Sequence, residues 1–222
     1  MKQQRTLEEI SDGKIYDISD KVKADTRGCD GCSACCHGVG DLVMLTPFDI
    51  FEIVRAAGQD FEALMEDKMT WREEKKVLLP YLKMQEGTEK CSFLNDKGRC
   101  TIHSSRPNIC RLFPLGRVYQ GNDFKYFLQV NNCKKPQLEE VTVSEWIGIS
   151  DYENNKAFLL AWHELVKALQ FRMKFVYDEE MIKDLNELMH KNFYGDLSKI
   201  TGDFYEAFFM MLPKVKKQLG II

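Results

Sequence analysis

Cysteine is the residue type whose spacing in this chain could do chemistry. Four of the eight cysteines fall within residues 29–36, which read CDGCSACC, and the other four lie between residues 91 and 133. A thiolate is a soft ligand that favours zinc, Cu(I) or an iron–sulfur cluster, and several converging thiolates make a metal site without other residue types. We therefore predict a metal site whose candidate ligands are all eight cysteines: Cys29, Cys32, Cys35, Cys36, Cys91, Cys100, Cys110 and Cys133.

Cys29, Cys32 and Cys35 recur at C-x2-C-x2-C spacing. Two intervening residues let a tight loop aim successive thiolates at one point, as in zinc knuckles. Bacterial ferredoxins use the same run and complete the cluster with a more distant cysteine. Spacing alone does not separate zinc from iron, although three thiols at this spacing with remote cysteines suit an iron–sulfur cluster. A mononuclear ion and a cluster both stay open, and we favour iron as the metal.

Cys36 directly follows Cys35, which constrains how the cysteines can be shared. Adjacent side chains diverge in most backbone conformations, so these two thiols would not easily bind the same ion. They could serve two sites, or one could be a supporting or redox-active thiol. Eight thiols could form two four-thiolate sites, or one cluster with several free cysteines. The strongest ligand candidates are Cys29, Cys32, Cys35, Cys100 and Cys110.

The later cysteines lie in a region rich in turn-forming residues. The segment 95–98, Asn-Asp-Lys-Gly, predicts a turn that brings Cys91 and Cys100 together. Residues 121–123, Gly-Asn-Asp, predict the turn of a small β-hairpin between two short apolar runs. Cys133 follows that hairpin, which would return the chain to the cluster. We interpret the whole stretch as an irregular module ordered by its metal.

Two arginines flank Cys110 and could support the metal site. Pro107 and Pro114 stiffen the backbone on either side of this cysteine. Four thiolates around a divalent ion leave a net charge of about −2, which a nearby guanidinium can offset while donating hydrogen bonds to sulfur. We predict that Arg106 and Arg111 surround the metal site in this way, without ligating the metal themselves.

The rest of the composition excludes several classes of protein. The net charge is −3 and the basic residues form no dense block, so nucleic acid is not expected as the main partner. No apolar run approaches the roughly 18 residues needed to span a bilayer, and the polar N-terminal segment lacks the apolar part of a signal peptide. We expect a cytoplasmic protein without a membrane association. Because the cytosol keeps thiols reduced, a disulfide framework is disfavoured.

The predicted elements are mostly helical. Thr46 and Pro47 predict a helix start, and Gly58 predicts its end. A second helix is expected with Phe61, Leu64, Met65 and Met69 facing inward. From about residue 143 the cysteines end and helical periodicity dominates. We predict a mainly α fold with an irregular cysteine-rich module and a small β-hairpin in residues 1–142. A C-terminal helical lobe in residues 143–222 would pack on the same domain and could bind a protein partner.

Residues 29–133 resemble the CxxCxxCC cysteine-cluster family, also called YkgJ-type. The resemblance covers all eight cysteines and their neighbours: Cys91-Ser-Phe-Leu, Gly98-Arg-Cys100-Thr-Ile, and Arg106-Pro107-x2-Cys110-Arg111-x-Phe113-Pro114. It implies chelation of zinc or iron, and the same module also appears in flagellin lysine methylases. The chain departs from the pattern at His103, where the family more often has an aromatic residue such as tyrosine. His103 also lies at C-x2-H spacing from Cys100, a spacing compatible with zinc.

Three functions from different classes remain. The protein could be a metal-chelating accessory factor, in which removal of the metal would cost folding. It could be an electron-transfer or sensor protein with an iron–sulfur cluster. It could also be a metal-cluster-dependent enzyme related to the flagellin lysine N-methylases, although the chain has no recognisable cofactor-binding fingerprint. We favour the first two, and S-adenosylmethionine binding would distinguish the third.

Overall fold

The computed structural model describes residues 6–27, 32–39, 42–135 and 137–221. The described residues are 46% helical and 21% strand or bridge, so the fold is mixed and the prediction of a mainly α protein was too narrow. In chain order, the helices and strands are α1 (Leu7–Ile10), β1 (Lys21–Asp25), α2 (Pro47–Ala57), α3 (Phe61–Asp67), β2 (Met69–Glu74), β3 (Val77–Leu82), α4 (Asn108–Leu112), β4 (Leu115–Gln120), β5 (Asp123–Leu128), β6 (Glu139–Thr142), α5 (Val143–Ile147), α6 (Tyr152–Met173), α7 (Glu179–Met189) and α8 (Phe204–Gln218).

Helix α2 begins and ends where the sequence predicted. The Thr46 side chain accepts a hydrogen bond from the Asp49 backbone N–H at 3.2 Å, and Asp49 Oδ2 accepts one from the Thr46 N–H at 2.8 Å. This reciprocal pair satisfies backbone donors that the first helical turn would otherwise leave without partners. Gly58 ends the helix with φ of 63°, a conformation that costs glycine little because it has no Cβ. The buried face of α2 includes Ile50 and Ile53.

Three two-stranded antiparallel sheets lie among the helices of the described chain. The predicted hairpin is β4–β5, whose strands pair from Leu115↔Leu128 to Gln120↔Asp123. The hairpin β2–β3 was not predicted, and Met69, expected on a helix, is instead the first residue of β2. Strand β1 pairs with β6, which holds the two ends of the cysteine-rich region together.

The C-terminal helices share one apolar core with the rest of the protein. On α6, Phe158, Trp162, Leu165 and Leu169 recur at helical spacing and are all buried. The hairpin β2–β3 contacts α7 through Asn186, whose Oδ1 accepts from the Leu78 N–H at 2.8 Å and whose Nδ2 donates to the Lys76 carbonyl at 3.0 Å. The division at residue 142 stays a prediction. None of the helices in the described ranges combines the length and apolar character of a membrane-spanning segment.

Candidate metal centre

Seven cysteines line a single cavity of about 340 Å³. They are every cysteine that the structure describes: Cys32, Cys35, Cys36, Cys91, Cys100, Cys110 and Cys133. Cys29 was also predicted as a ligand, and it lies outside the described residues. All seven are free thiols. Thiols separated by up to a hundred positions in the sequence, between Cys32 and Cys133, are therefore gathered on one internal surface.

A backbone hydrogen bond joins the first cysteine segment to the second. Residues Ala34–Cys36 form one turn of 3-10 helix, in which the Cys36 N–H donates to the Ser33 carbonyl at 2.9 Å. The Cys36 carbonyl then accepts a hydrogen bond from the Cys91 N–H, also at 2.9 Å. The neighbouring Gly38 N–H donates to the Glu89 carbonyl at 2.8 Å. These bonds place Cys36 and Cys91 side by side on the cavity wall.

The predicted turn brings Cys100 back towards Cys91. Asn95 Oδ1 accepts hydrogen bonds from the backbone N–H groups of Lys97 and Arg99, at 3.0 and 2.9 Å. The Gly98 N–H donates to the Asn95 carbonyl at 2.8 Å, and Gly98 has φ of 68°. An asparagine that binds the following backbone and a glycine at positive φ are typical of such turns. The turn that residues 95–98 indicated is therefore confirmed.

Cys110 lies on the short helix α4, which Asp49 of α2 holds in place. Asp49 Oδ1 accepts hydrogen bonds from the Asn108 backbone N–H at 2.8 Å and from Asn108 Nδ2 at 2.9 Å. Asp49 is only 2% exposed, and its burial raises the pKa of this carboxyl above the ordinary value. Asp49 also contributes to the start of α2 through its hydrogen bonds with Thr46. Its link to α4 is a positioning role that the sequence did not indicate.

Electrostatic repulsion acts in every pairing of Cys35, Cys91, Cys100 and Cys110, and Cys36 interacts in the same way with Cys35, Cys91 and Cys110. Burial is the main cause that raises the pKa of the Cys91, Cys100 and Cys110 thiols. Repulsion from the other thiols of the set adds to this rise. We call Cys35, Cys91, Cys100 and Cys110 the inner thiols and treat Cys36 separately, as the hydrogen-bond partner of Cys35. Cys35 is the exposed member of the set and Cys91 the buried one.

Cys35 and Cys36 have opposite electrostatic environments although they are neighbours. A hydrogen bond with the Cys36 side chain is the main cause that lowers the pKa of the Cys35 thiol to about 7, and attraction from Arg106 contributes to the same shift. The same hydrogen bond, together with burial, raises the pKa of the Cys36 thiol. The hydrogen bond between the two thiols therefore favours the thiolate form of Cys35 and the protonated form of Cys36. A supporting role for one of the two thiols stays a prediction.

The two arginines beside Cys110 face different cavities. Arg106 lines the cysteine cavity, donates from Nη1 to the His103 carbonyl at 3.0 Å, and attracts the thiolate forms of Cys35 and Cys100. Arg111 lines a second cavity of about 440 Å³ and donates from Nη2 to the Ser104 carbonyl at 2.8 Å. Its burial and the nearby Arg106 lower the pKa of its guanidinium. His103 lines the cysteine cavity as well.

The donor set fits a thiophilic metal in its chemistry. Thiol sulfur is the most frequent donor on the cavity wall, and the described lining residues include no carboxylate. Within the described ranges, no three His, Cys, Asp or Glu side chains stand close enough together to form a complete metal-binding group. Ligation would therefore draw the inner thiols inward from the positions seen here.

Comparison with known protein families gives a match to the cysteine-rich part of the chain. Residues 28–137 match the model of the CxxCxxCC family, described as a "putative zinc- or iron-chelating domain". This part of the chain is similar to that domain. The matched residues contain all seven cysteines of the cavity wall and end just before β6. Its description confirms the resemblance and the expectation of zinc or iron in general terms. Comparison with curated proteins and with solved structures gives no match.

Proposed function

We propose that this protein binds zinc or iron through cysteine thiolates and that the inner thiols are its primary ligands. The observation that carries the proposal is that seven cysteines line one cavity, among them Cys35, Cys91, Cys100 and Cys110, whose thiols repel one another. Four thiolates complete the ligand set of a tetrahedral metal ion or of an iron–sulfur cluster. Cys36 would support the site by donating a hydrogen bond to the Cys35 sulfur.

The size of the cavity favours an iron–sulfur cluster over a single zinc ion. A structural zinc site is closed, with four sulfurs about 2.3 Å from the metal and little space between them. The cysteine cavity instead has a volume of about 340 Å³ and more thiols than one ion can bind. Arg106 would offset the negative charge of a four-thiolate cluster. A cluster here would serve a redox, sensor or accessory role, and it would require the reducing compartment that the sequence led us to expect.

Elemental analysis tests this proposal directly. The protein would be purified without oxygen and without a metal-binding tag, and its iron, zinc and acid-labile sulfide would be measured together with its visible absorption. We expect about four iron and about four sulfide per chain with a broad absorption band, as for a [4Fe–4S] centre. A colourless sample with one or two zinc ions would contradict the cluster but keep the thiolate site. A sample without either metal would overturn the proposed function.

The predicted protein partner of the helical lobe stays a prediction. Exposed aromatic side chains occur where α6 ends: Phe171 is 61% exposed, Phe175 is 65% exposed and Tyr177 is 83% exposed. Phe171 and Phe175 pack edge to face, with ring centroids 5.4 Å apart. A group of exposed apolar side chains indicates an interaction surface more strongly than a single exposed side chain does.

A further inference from the structure

The charged residues that the structure describes around the cysteine cavity all carry the same sign. Among the described lining residues, the charged side chains are Arg99, Arg106, Lys134 and Lys135, with no aspartate or glutamate. The whole chain has more acidic than basic residues, 34 against 31. A lining with four cations and no described carboxylate therefore departs from the composition of the protein. Such a lining attracts anions into the cavity.

Three of these four cationic side chains have no hydrogen-bond or ion-pair partner within the described part of the chain. The Arg106 side chain already donates a hydrogen bond to the His103 carbonyl and attracts the Cys35 thiolate. The side chains of Arg99, Lys134 and Lys135 form no hydrogen bond or ion pair with any residue that the structure describes. Lys135 is half-buried, whereas Arg99 and Lys134 are exposed. We call these three side chains the cationic mouth.

Aromatic side chains form part of the wall of the same cavity. Phe93 is buried, and Phe113 and Trp146 also line the space. The Trp146 indole N–H donates to the Leu112 carbonyl at 3.2 Å, which fixes the ring and leaves its apolar surface as wall. A volume of about 340 Å³ lies within the range of small-molecule sites, which combine apolar walls with a few placed polar groups.

We propose that the mouth of the cysteine cavity binds a small organic anion beside the metal. Its phosphate or carboxylate group would pair with Lys134, Lys135 and Arg99, and its apolar part would contact Trp146 and Phe113. The proposal rests on the proposed function and deepens it, because it names a ligand class for the same cavity. Four thiolates and their metal would retain only about two negative charges, which Arg106 already offsets in part. The cationic mouth is therefore available to a second anion.

Isothermal titration calorimetry on the metal-loaded protein tests the inference, with phenyl phosphate as the probe. Phenol is the neutral control of the same ring size. We expect phenyl phosphate to bind at least tenfold more tightly than phenol, and its binding to weaken as salt is added. The double variant Lys134→Gln/Lys135→Gln should bind phenyl phosphate at least tenfold more weakly. The matched variant Lys167→Gln/Lys183→Gln removes two exposed charges from α6 and α7, and it should bind like the wild type.

Metal content, measured on every sample, separates this inference from the proposed function. A wild-type protein without metal would overturn both. Full metal content with phenyl phosphate binding no tighter than phenol, or with equal binding by Lys134→Gln/Lys135→Gln, would overturn the anion site alone. A loss of metal in that double variant, with no phenyl phosphate binding by the wild type, would show that the lysines only balance the charge of the thiolates. That result would also overturn the anion site.

Discussion

The carboxylate of Asp49 binds Asn108 twice, through the backbone N–H at 2.8 Å and through Nδ2 at 2.9 Å. Asp49 lies on the first turn of α2 and Asn108 is the first residue of α4, so this contact fixes one helix against the other. Cys110 follows Asn108 by two positions. The place of a proposed metal ligand is therefore set by a residue far away in the sequence.

Replacing Asp49 should destabilise the protein and loosen the metal site. We expect Asp49→Ala to lower the free energy of unfolding by about 3 kcal/mol, because several buried hydrogen-bonding groups lose their partner. Asp60→Ala is the matched control, since Asp60 caps α3 at an exposed position and its loss should cost about 1 kcal/mol. Urea unfolding followed by circular dichroism measures both. Equal losses for the two variants would contradict the anchoring role of Asp49.

The buried Asp49 also predicts how stability depends on pH. Its pKa is raised in the folded state, so the folded protein holds a proton that the unfolded chain has already released. Between the ordinary aspartate pKa of about 3.9 and the raised value, stability should therefore fall as pH rises. The variant Asp49→Asn removes the ionisation, and this part of the pH dependence should disappear. An unchanged pH profile of urea midpoints in Asp49→Asn would count against the prediction.

Serine substitutions should separate the inner thiols from the other cysteines. We expect Cys91→Ser, Cys100→Ser and Cys110→Ser each to lose most of the bound metal, because a serine hydroxyl is a poor ligand for a thiophilic metal. Cys133→Ser should keep it, since Cys133 lines the cavity outside the inner set. Metal per chain is measured by elemental analysis, and circular dichroism shows whether each variant folds. Full metal content in folded Cys110→Ser would refute this ligand assignment.

Cys35 should be more reactive than Cys91, Cys100 and Cys110 in the metal-free protein near neutral pH. Its pKa is lowered to about 7, so half of it is thiolate at that pH, whereas the pKa values of Cys91, Cys100 and Cys110 are raised. Iodoacetamide labelling followed by peptide mass spectrometry should give a half-maximal rate for Cys35 near pH 7. In Cys36→Ala the hydrogen bond is lost, and the midpoint should move up towards the ordinary thiol value. A midpoint that stays in place would exclude Cys36 as the cause.

Trp146 should report the state of the metal centre. Its ring lines the cysteine cavity, whereas Trp162 is buried against Phe193 and Tyr194 in the helical core. An iron–sulfur cluster absorbs at the wavelengths of tryptophan emission, so its removal by a chelator should increase the fluorescence of the protein. Trp146→Phe should abolish most of this increase, and Trp162→Phe should preserve it. The reverse pattern would place the cluster elsewhere in the molecule.

Local features of the fold were predictable because short sequences encode them. Thr46, Pro47 and Gly58 bound α2 through contacts within a few residues, and the turn at residues 95–98 depends on Asn95 and Gly98 alone. The hairpin β2–β3 was missed because apolar residues such as Met69 continue the helical pattern of α3. Its strands instead pair with each other and pack against α7, a long-range preference that overrides the local pattern.

The arrangement of the site was predictable only in part. The cysteine pattern indicated which residues converge, but not which thiols interact with one another, because that depends on how three distant segments pack. Arg106 and Arg111 were treated alike on the basis of their nearness to Cys110. Successive helical side chains point about 100° apart, so Arg111 lies on a face of α4 that lines the second cavity. The hydrogen bonds between Asp49 and Asn108 join two helices that are distant in the sequence, so no local sequence pattern indicates them.

The origin of the inner thiols in separate segments has a consequence for the growing chain. A ribosome that has released the protein only as far as Cys36 exposes one inner thiol, and the C-x2-C-x2-C run alone lacks the other three. Cys91, Cys100 and Cys110 become available later, and α4 takes its place only against the completed α2. Metal insertion is therefore expected after most of the domain has been synthesised, and starvation for metal would leave complete but unloaded chains rather than truncated ones.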